Sequence, residues 1–439
     1  MKTKWKQRIL TWALILTLIL GGCSLESTRS DQTASNPQPE IQVVVQDTAA
    51  VSDSDPSALD STEDRIRIRL GEVVEHNGDG IAVSMSGAGT QVTITEGGVY
   101  ELTGKMSGQI VVRTEEAVQL ILNGVDIVSA DGPAIYIAQS KHTSVTAADG
   151  TKNNLTDSTT YSDESAEAVL FSHIGLTLDG YGTLVVDGNY KHAIASETEL
   201  TVLQGTLEIR AVRDGLAGKE TVLIEDGSIQ IYKSNEGIES KGSLIINGGT
   251  IEFQADDDGL NAGTEIVING GTVQGLAGGD GIDSNGIILM NGGDVTIFAA
   301  DSANGPIDVG DEGGSITING GNLFVSGGAM AATVNSNSTQ PSIWIGANSG
   351  VGDVVTILSD GREIGSYEVG QAASLLFYTS EDLSIGNRYV VRQNDSVLGE
   401  ITLNNASSSI GGSGMNPMMG PNMGGPARPE QVPPEQARP

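Results

Sequence analysis

The stretch "LIINGGTIEFQADDDGLNAGTE" (residues 244–265) decides the fold once it is set beside its neighbours. Before it stand "LTVLQGTLEIRAVRDGLAGKET" (200–221) and "VLIEDGSIQIYKSNEGIESKGS" (222–243); after it come "IVINGGTVQGLAGGDGIDSNGI" (266–287) and "ILMNGGDVTIFAA" (288–300). Gly205, Gly227, Gly249, Gly271 and Gly293 fall in one column at intervals of 22 residues without an insertion. Leu200, Val222, Leu244, Ile266 and Ile288 form an apolar column, as do Val202, Ile224, Ile246, Ile268 and Met290. A third runs Leu207, Ile229, Ile251, Val273, Val295, and a fourth Leu216, Ile238, Leu260, Ile282. Within a row the apolar residues alternate with period two, the mark of a strand. One such row cannot bury its inward side chains, whereas stacked rows bury a continuous aliphatic ladder. The expected fold is therefore all-β, a single-stranded parallel β-helix of about 22 residues per coil.

Asn247, Asn269 and Asn291 are each followed by two glycines, as expected of a turn whose asparagines stack along the axis. Upstream, "VTITEGGVYELTG" (92–104), "LILNGVDIVSADGPAIYIAQ" (120–139) and "TLDGYGTLVVDG" (177–188) read as less regular coils. Residues 151–172 read as a surface loop interrupting them. Downstream, "SITINGGNLFVSGG" (315–328) is a further coil after an insertion. The expected organisation is a signal at 1–22, a disordered tether at 23–64, the β-helix at 65–340, a small antiparallel β capping module at 341–408 and a Gly/Pro/Met tail at 409–439.

Lys2, Lys4, Lys6 and Arg8 precede the uncharged run Ile9–Leu20, and Gly21-Gly22-Cys23 follows. A basic region, a short apolar core and small residues before a cleavage point make a secretory signal. Cys23, the single cysteine, stands where a bacterial lipobox places its lipidated residue, so the chain is expected on the extracellular face of the cell membrane. The mature chain then has no disulfide and no CxxC site. Removing four basic and no acidic residues takes the formal charge from −33 to −37. Nucleic acid is excluded as a partner by that charge, and divalent cations are favoured.

Asp214, Glu236, Asp258 and Asp280 form an acidic column, with Ala217, Glu239, Asn261 and Asp283 three places on. Asp256 and Asp257 extend it in one row, and "NGPIDV" (304–309) brings Asp308 to the same corner. His192 stands in the column one row before Asp214. Carboxylates one strand spacing apart, about 4.8 Å, repel by about 3.5 kcal/mol at an effective dielectric near 20. Either they splay into water or they share a hard cation, and calcium accepts six to eight oxygens of this kind. Secretion, acidity and constant register favour calcium as the cofactor, held by Asp214, Glu236, Glu239, Asp256, Asp258, Asn261, Asp280, Asp283 and Asp308.

A second column, Arg210, Tyr232, Gln254, Leu276 and Phe298, is expected on one outer face, where Arg210, Tyr232, Gln254 and Phe298 could clamp a sugar chain. Catalytic signals are weak: His76, His142, His173 and His192 share no ligand spacing. Arg210 and Arg213 near Asp214 keep a pectate-lyase-like alternative open, and a surface spacer or adhesin is a third reading.

The succession "VTITEGGVYELTG", "IVVRTEEAVQLILNGVDI", "NLTDSTTY", "GLTLDGYGTLVVDGNY" and the repeated [DE]-G-[IL] rows resembles the bacterial family of secreted cellulose- and pectin-binding β-helix proteins. The resemblance implies a right-handed helix that binds calcium and acidic plant polysaccharide, without catalysis as a defining property; a monomer is expected, with a plant-type polysaccharide, acidic or cellulosic, as its partner. It places calcium at the acidic corners from Glu236 to Asp283. "KHAIAS" at His192 and Ala217 in "AVRDGLAG" depart from the acidic phrase, which removes ligands from the first part of the ladder.

Overall fold

The computed structural model describes residues 65–300, 305–310 and 313–411. The expected signal, Cys23, the tether 23–64 and residues 412–439 of the tail lie outside the described residues. Within the described residues every regular element is a strand, and most of them belong to one parallel solenoid.

The coil that carries residues 243–262 shows why. It consists of strands Ser243–Ile246, Thr250–Ala255 and Leu260–Ala262, and each pairs in parallel with its equivalent 22 residues on, Leu244 with Ile266, Ile251 with Val273, Leu260 with Ile282. Leu244, Ile246, Ile251, Phe253 and Leu260 are all buried. Burying a side chain of this size is worth about 1.5–3 kcal/mol. The alternate residues face outward, as the period of two requires.

The glycine column is a steric necessity. Gly249 and Gly271 have φ of +82° and +83°, and a Cβ on either would lie 2.7 Å from a carbonyl oxygen of the preceding coil. Beside them the asparagines form a ladder: Asn269 Nδ2 donates to Asn247 Oδ1 at 2.8 Å, Asn291 to Asn269 at 2.8 Å, and Asn319 to Asn291 at 2.9 Å across the insertion.

One sequence expectation changes, and the start of the solenoid carries an addition. Residues 151–172 are not a continuous loop: Lys152–Thr156 and Ala168–Ser172 are coil strands paired to Thr183–Asp187 and His192–Ser196, so only 157–167 leave the solenoid. That excursion folds back on the outer face, where Tyr161 packs with Ala166, Phe171, Ala195 and Ala217 and stacks on Tyr190 at 4.3 Å. At the start, Gly89–Ile94 pairs in parallel with the strand Gly98–Arg113, Thr90 with Gly108 and Ile94 with Val112, as a coil strand does, and on its other side it forms an antiparallel hairpin with Ile81–Ser86.

After the last coil, Ala373–Thr379 runs antiparallel along Asn322–Gly327 and so pairs with that coil's edge. A four-stranded antiparallel sheet follows, in the order Arg362–Glu368, Val354–Ser359, Arg388–Gln393, Ser396–Thr402. It encloses a second core that includes Phe324, Tyr378 and Tyr389. The final strand, Ser407–Ile410, returns in parallel to Ser342–Ile345 and extends past residue 408.

Candidate functional site

The short third strand of each coil positions the acids. Its central residue faces outward between two buried ones, and strict pairing aligns these residues along the axis: Tyr136, Phe171, Ala195, Ala217, Glu239, Asn261, Asp283 and Asp308. One line on one sheet is thus aromatic, then small, then acidic. The turn before the strand contributes the parallel line His192, Asp214, Glu236, Asp258, Asp280.

Where the two lines are both acidic, they converge. Asp258, Asp280 and Asp283 each present a carboxylate oxygen, and the three lie within 4.8 Å of one another, the first two buried and the third half-buried. Asp258 Oδ1 accepts the Asp280 backbone N–H at 2.7 Å, and Asp280 Oδ1 accepts the Gly305 N–H at 2.6 Å. Each aspartate therefore caps the next coil with one oxygen and keeps the other for the cluster. Asn261 Nδ2 donates to Asp258 Oδ2 at 3.2 Å and to Glu236 Oε2 at 3.4 Å.

This crowding is unfavourable without a counter-charge. Burial, then the charges of Asp258 and Asp308, push Asp283 up to about 7. Burial, only partly offset by the Gly305 amide and reinforced by Asp258 and Asp308, brings Asp280 to about 7. Burial and four neighbouring carboxylates, Asp258 first, push Glu236 up to about 8. Groups that resist ionisation at neutral pH for these reasons are stabilised in their charged form by a divalent cation. The donor set is all oxygen, which fits calcium rather than a soft metal. The residues placed to hold a metal ion are Asp258, Asp280 and Asp283, with Asn261 and Asp308 on the adjacent register positions.

The other expected ligands are elsewhere. Asp214 is buried and forms an ion pair with His192, Nδ1 to Oδ2 2.9 Å. Burial raises its carboxyl, but the hydrogen bond and charge of His192 outweigh that and hold it below the usual range. Glu239 is paired with Lys241. Asp256 is exposed and turned toward Lys233, 3.8 Å away, so it does not join the cluster. The first coils of the ladder set basic side chains, His192 and Lys241, against the acids, and the last do not; the sequence showed the departure at His192 but not its purpose.

The expected carbohydrate face is divided. A bulge after Ile209 pairs Arg210 with Lys233 rather than Tyr232, though the guanidinium still lies over the Tyr232 ring at 4.5 Å. Tyr232 and Gln254 are exposed. Phe298 is covered instead of open: it packs on Phe324, and Gln371 Nε2 donates to its carbonyl at 2.7 Å while Gly370 closes over it and Leu276.

A family profile described as carbohydrate-binding domain-containing protein matches residues 88–237 and again 232–355, more than half of the chain. A curated protein of Acetivibrio thermocellus with the same description is 33% identical over 144 residues, 31% of this chain and 49% of that protein. The chain thus spans about half the length of that relative. Among solved structures, the polysaccharide lyase-like protein from C. thermocellum, in its gadolinium derivative, is 28% identical with a TM-score of 0.44, covering 58% of this chain and 96% of that one.

Proposed function

This chain belongs to the family of carbohydrate-binding domain-containing proteins, and from that premise we propose a cell-surface lipoprotein whose β-helix binds polysaccharide through a calcium-loaded acidic corner. The observation that supports it is the convergence of Asp258, Asp280 and Asp283 on one outer sheet face. A strongly negative protein repels an anionic polymer, so a bound cation is the natural bridge to a uronate carboxylate. Polygalacturonate is accordingly the preferred ligand, with cellulose as the neutral comparison. Lipidation at Cys23 would display the solenoid outside the cell.

Bond cleavage at this corner is not favoured. Of Arg210 and Arg213, the basic residues on which a lyase reading would draw, Arg210 is engaged with Tyr232 and with Asp187 at 3.7 Å. The test is retention of the protein on insoluble polygalacturonate and on cellulose, with calcium and with EDTA, for the wild type and the triple variant D258N/D280N/D283N. Calcium-dependent retention lost in the triple variant supports the reading. Equal retention with EDTA would remove the calcium bridge, and no retention on either polymer would remove the proposed function.

A further inference from the structure

Outside the acidic corner, His173 is engaged at both ring nitrogens. Its Nδ1 lies 2.6 Å from Glu197 Oε2 and its Nε2 2.8 Å from the Tyr136 hydroxyl. Lys219 Nζ donates to the other Glu197 oxygen at 2.6 Å. Phe171 and Tyr136 hold the imidazole edge-on, at centroid distances of 5.0 and 5.5 Å. His173 and Glu197 are 28% and 30% exposed, so the group is ordered yet reaches solvent.

The solenoid builds this chain from four successive coils. Tyr136 pairs with Phe171 on the outward line, and His173, Glu197 and Lys219 each follow the third strand of their own coil. With a neutral imidazole, the Glu197 carboxylate fixes the proton on Nδ1 and leaves Nε2 as the acceptor for the phenol. Reacting hydroxyl, base and orienting carboxylate in hydrogen-bonding sequence is the arrangement that activates a weak acid.

We propose that Tyr136, His173 and Glu197 form a proton-transfer site that cleaves a bound uronate polymer by β-elimination, a substrate class that rests on the polysaccharide reading above. The phenol proton passes to His173 Nε2 as the Tyr136 oxygen takes the C5 proton of the uronate. The C4–O4 bond then breaks, C4=C5 forms, and Tyr136 gives its proton to the departing O4; the imidazolium returns its own to the phenolate. The net change is one proton moved from C5 to O4, with no co-reactant. Exposed Arg113, whose charge is felt at Tyr136, is the counter-ion for the uronate carboxylate as the carbanion forms. Burial, followed by Asp163, holds the Tyr136 phenol above its usual value, so it needs His173 to ionise. The acidic corner lies six coils further along the same line, about 29 Å at the strand spacing of a sheet. It therefore anchors the polymer and does not touch the reacting sugar.

The full chain is incubated with polygalacturonate and calcium, and two quantities are read: polymer-bound protein, and ultraviolet absorbance of the new double bond. The expected result is release of unsaturated ends that Tyr136→Phe reduces by about 10²-fold or more while binding and melting temperature stay unchanged. Glu197→Gln tests positioning: the turnover rate falls at unchanged KM and Glu197→Asp recovers part of it, a pattern that a merely structural role would not give. Tyr136, Glu197 and the field of Asp163 are the groups facing the ring, and Lys219 acts through Glu197. Binding without any release overturns the proton-transfer site and leaves the binding function standing. Release undiminished in Tyr136→Phe also overturns it, and the absence of both binding and release overturns both.

Discussion

The backbone N–H of Asp280 donates to the carboxylate of Asp258, its counterpart one coil earlier, at 2.7 Å. One aspartate thus does two things: it caps the next turn and contributes charge to the cluster. Substitution can separate them. Asp258→Asn retains an oxygen acceptor for the amide and removes the charge, whereas Asp258→Ala leaves a buried N–H unsatisfied, at a cost of about 1–3 kcal/mol. In EDTA, thermal melting should show Asp258→Ala clearly destabilised and Asp258→Asn near wild type or above it. Calorimetric titration with calcium should show both weakened. If Asp258→Asn melts as low as Asp258→Ala without metal, the carboxylate charge is not opposing the fold.

The raised carboxyls set a pH dependence with a definite sign. Glu236 at about 8, with Asp280 and Asp283 at about 7, binds protons in the folded state that it would lose in the unfolded chain above about pH 4. The native state then binds more protons than the unfolded state, and stability falls as pH rises across that interval. Without metal, the urea midpoint should be higher at pH 5.5 than at pH 8. Calcium should flatten the slope, because binding to the native state stabilises it most where the carboxylates are ionised. Asp214, held low by His192, works in the opposite sense, and its contribution is lost only as pH falls through its depressed range. A metal-free protein more stable at pH 8 than at 5.5 would contradict the crowding.

How much of this was legible depended on coil length. Between Leu200 and Ala300 every coil has 22 residues, so the acidic line, its partner three places on and the asparagine ladder could be aligned by counting. Upstream the same outward line runs through Tyr136, Phe171 and Ala195, at intervals that differ from 22 and from each other. No fixed period could bring His173 beside Glu197 there. Asp256 misled for another reason: it follows the last residue of its strand, where alternation ends, and it turns to Lys233 instead of the cluster. Phe298 was read as open because the segment that covers it, at Gly370 and Gln371, is distant in sequence.

The glycine and asparagine columns should differ sharply in what they tolerate. Gly271→Ala must place a side chain in a left-handed conformation, which costs about 1–2 kcal/mol before the contact with the Gly248 carbonyl is counted. Asn269→Ala removes two exposed ladder hydrogen bonds whose groups remain open to water, and such bonds are worth about 1 kcal/mol or less each. Denaturant unfolding should rank the first well above the second. Equal losses would mean that the ladder, and not the backbone turn, holds the coils in register.

The divided outer face yields the last prediction. Phe298 is held between Phe324 and the Gly370–Gln371 segment, so truncation to Ala should lower stability by roughly 2 kcal/mol, about half the loss for a fully buried phenylalanine. It should leave polymer retention unchanged under conditions where the variant is folded. Tyr232 is exposed with Arg210 over its ring, so Tyr232→Ala should change stability by less than about 1 kcal/mol. If this face takes part in saccharide binding, the loss on polygalacturonate should appear with Tyr232→Ala and Arg210→Ala alone, and should persist in saturating calcium because neither residue touches the acidic cluster. Retention assays beside unfolding curves for the three variants separate the roles: a binding defect in Phe298→Ala without a stability defect would show that the covering segment moves aside to admit the polymer.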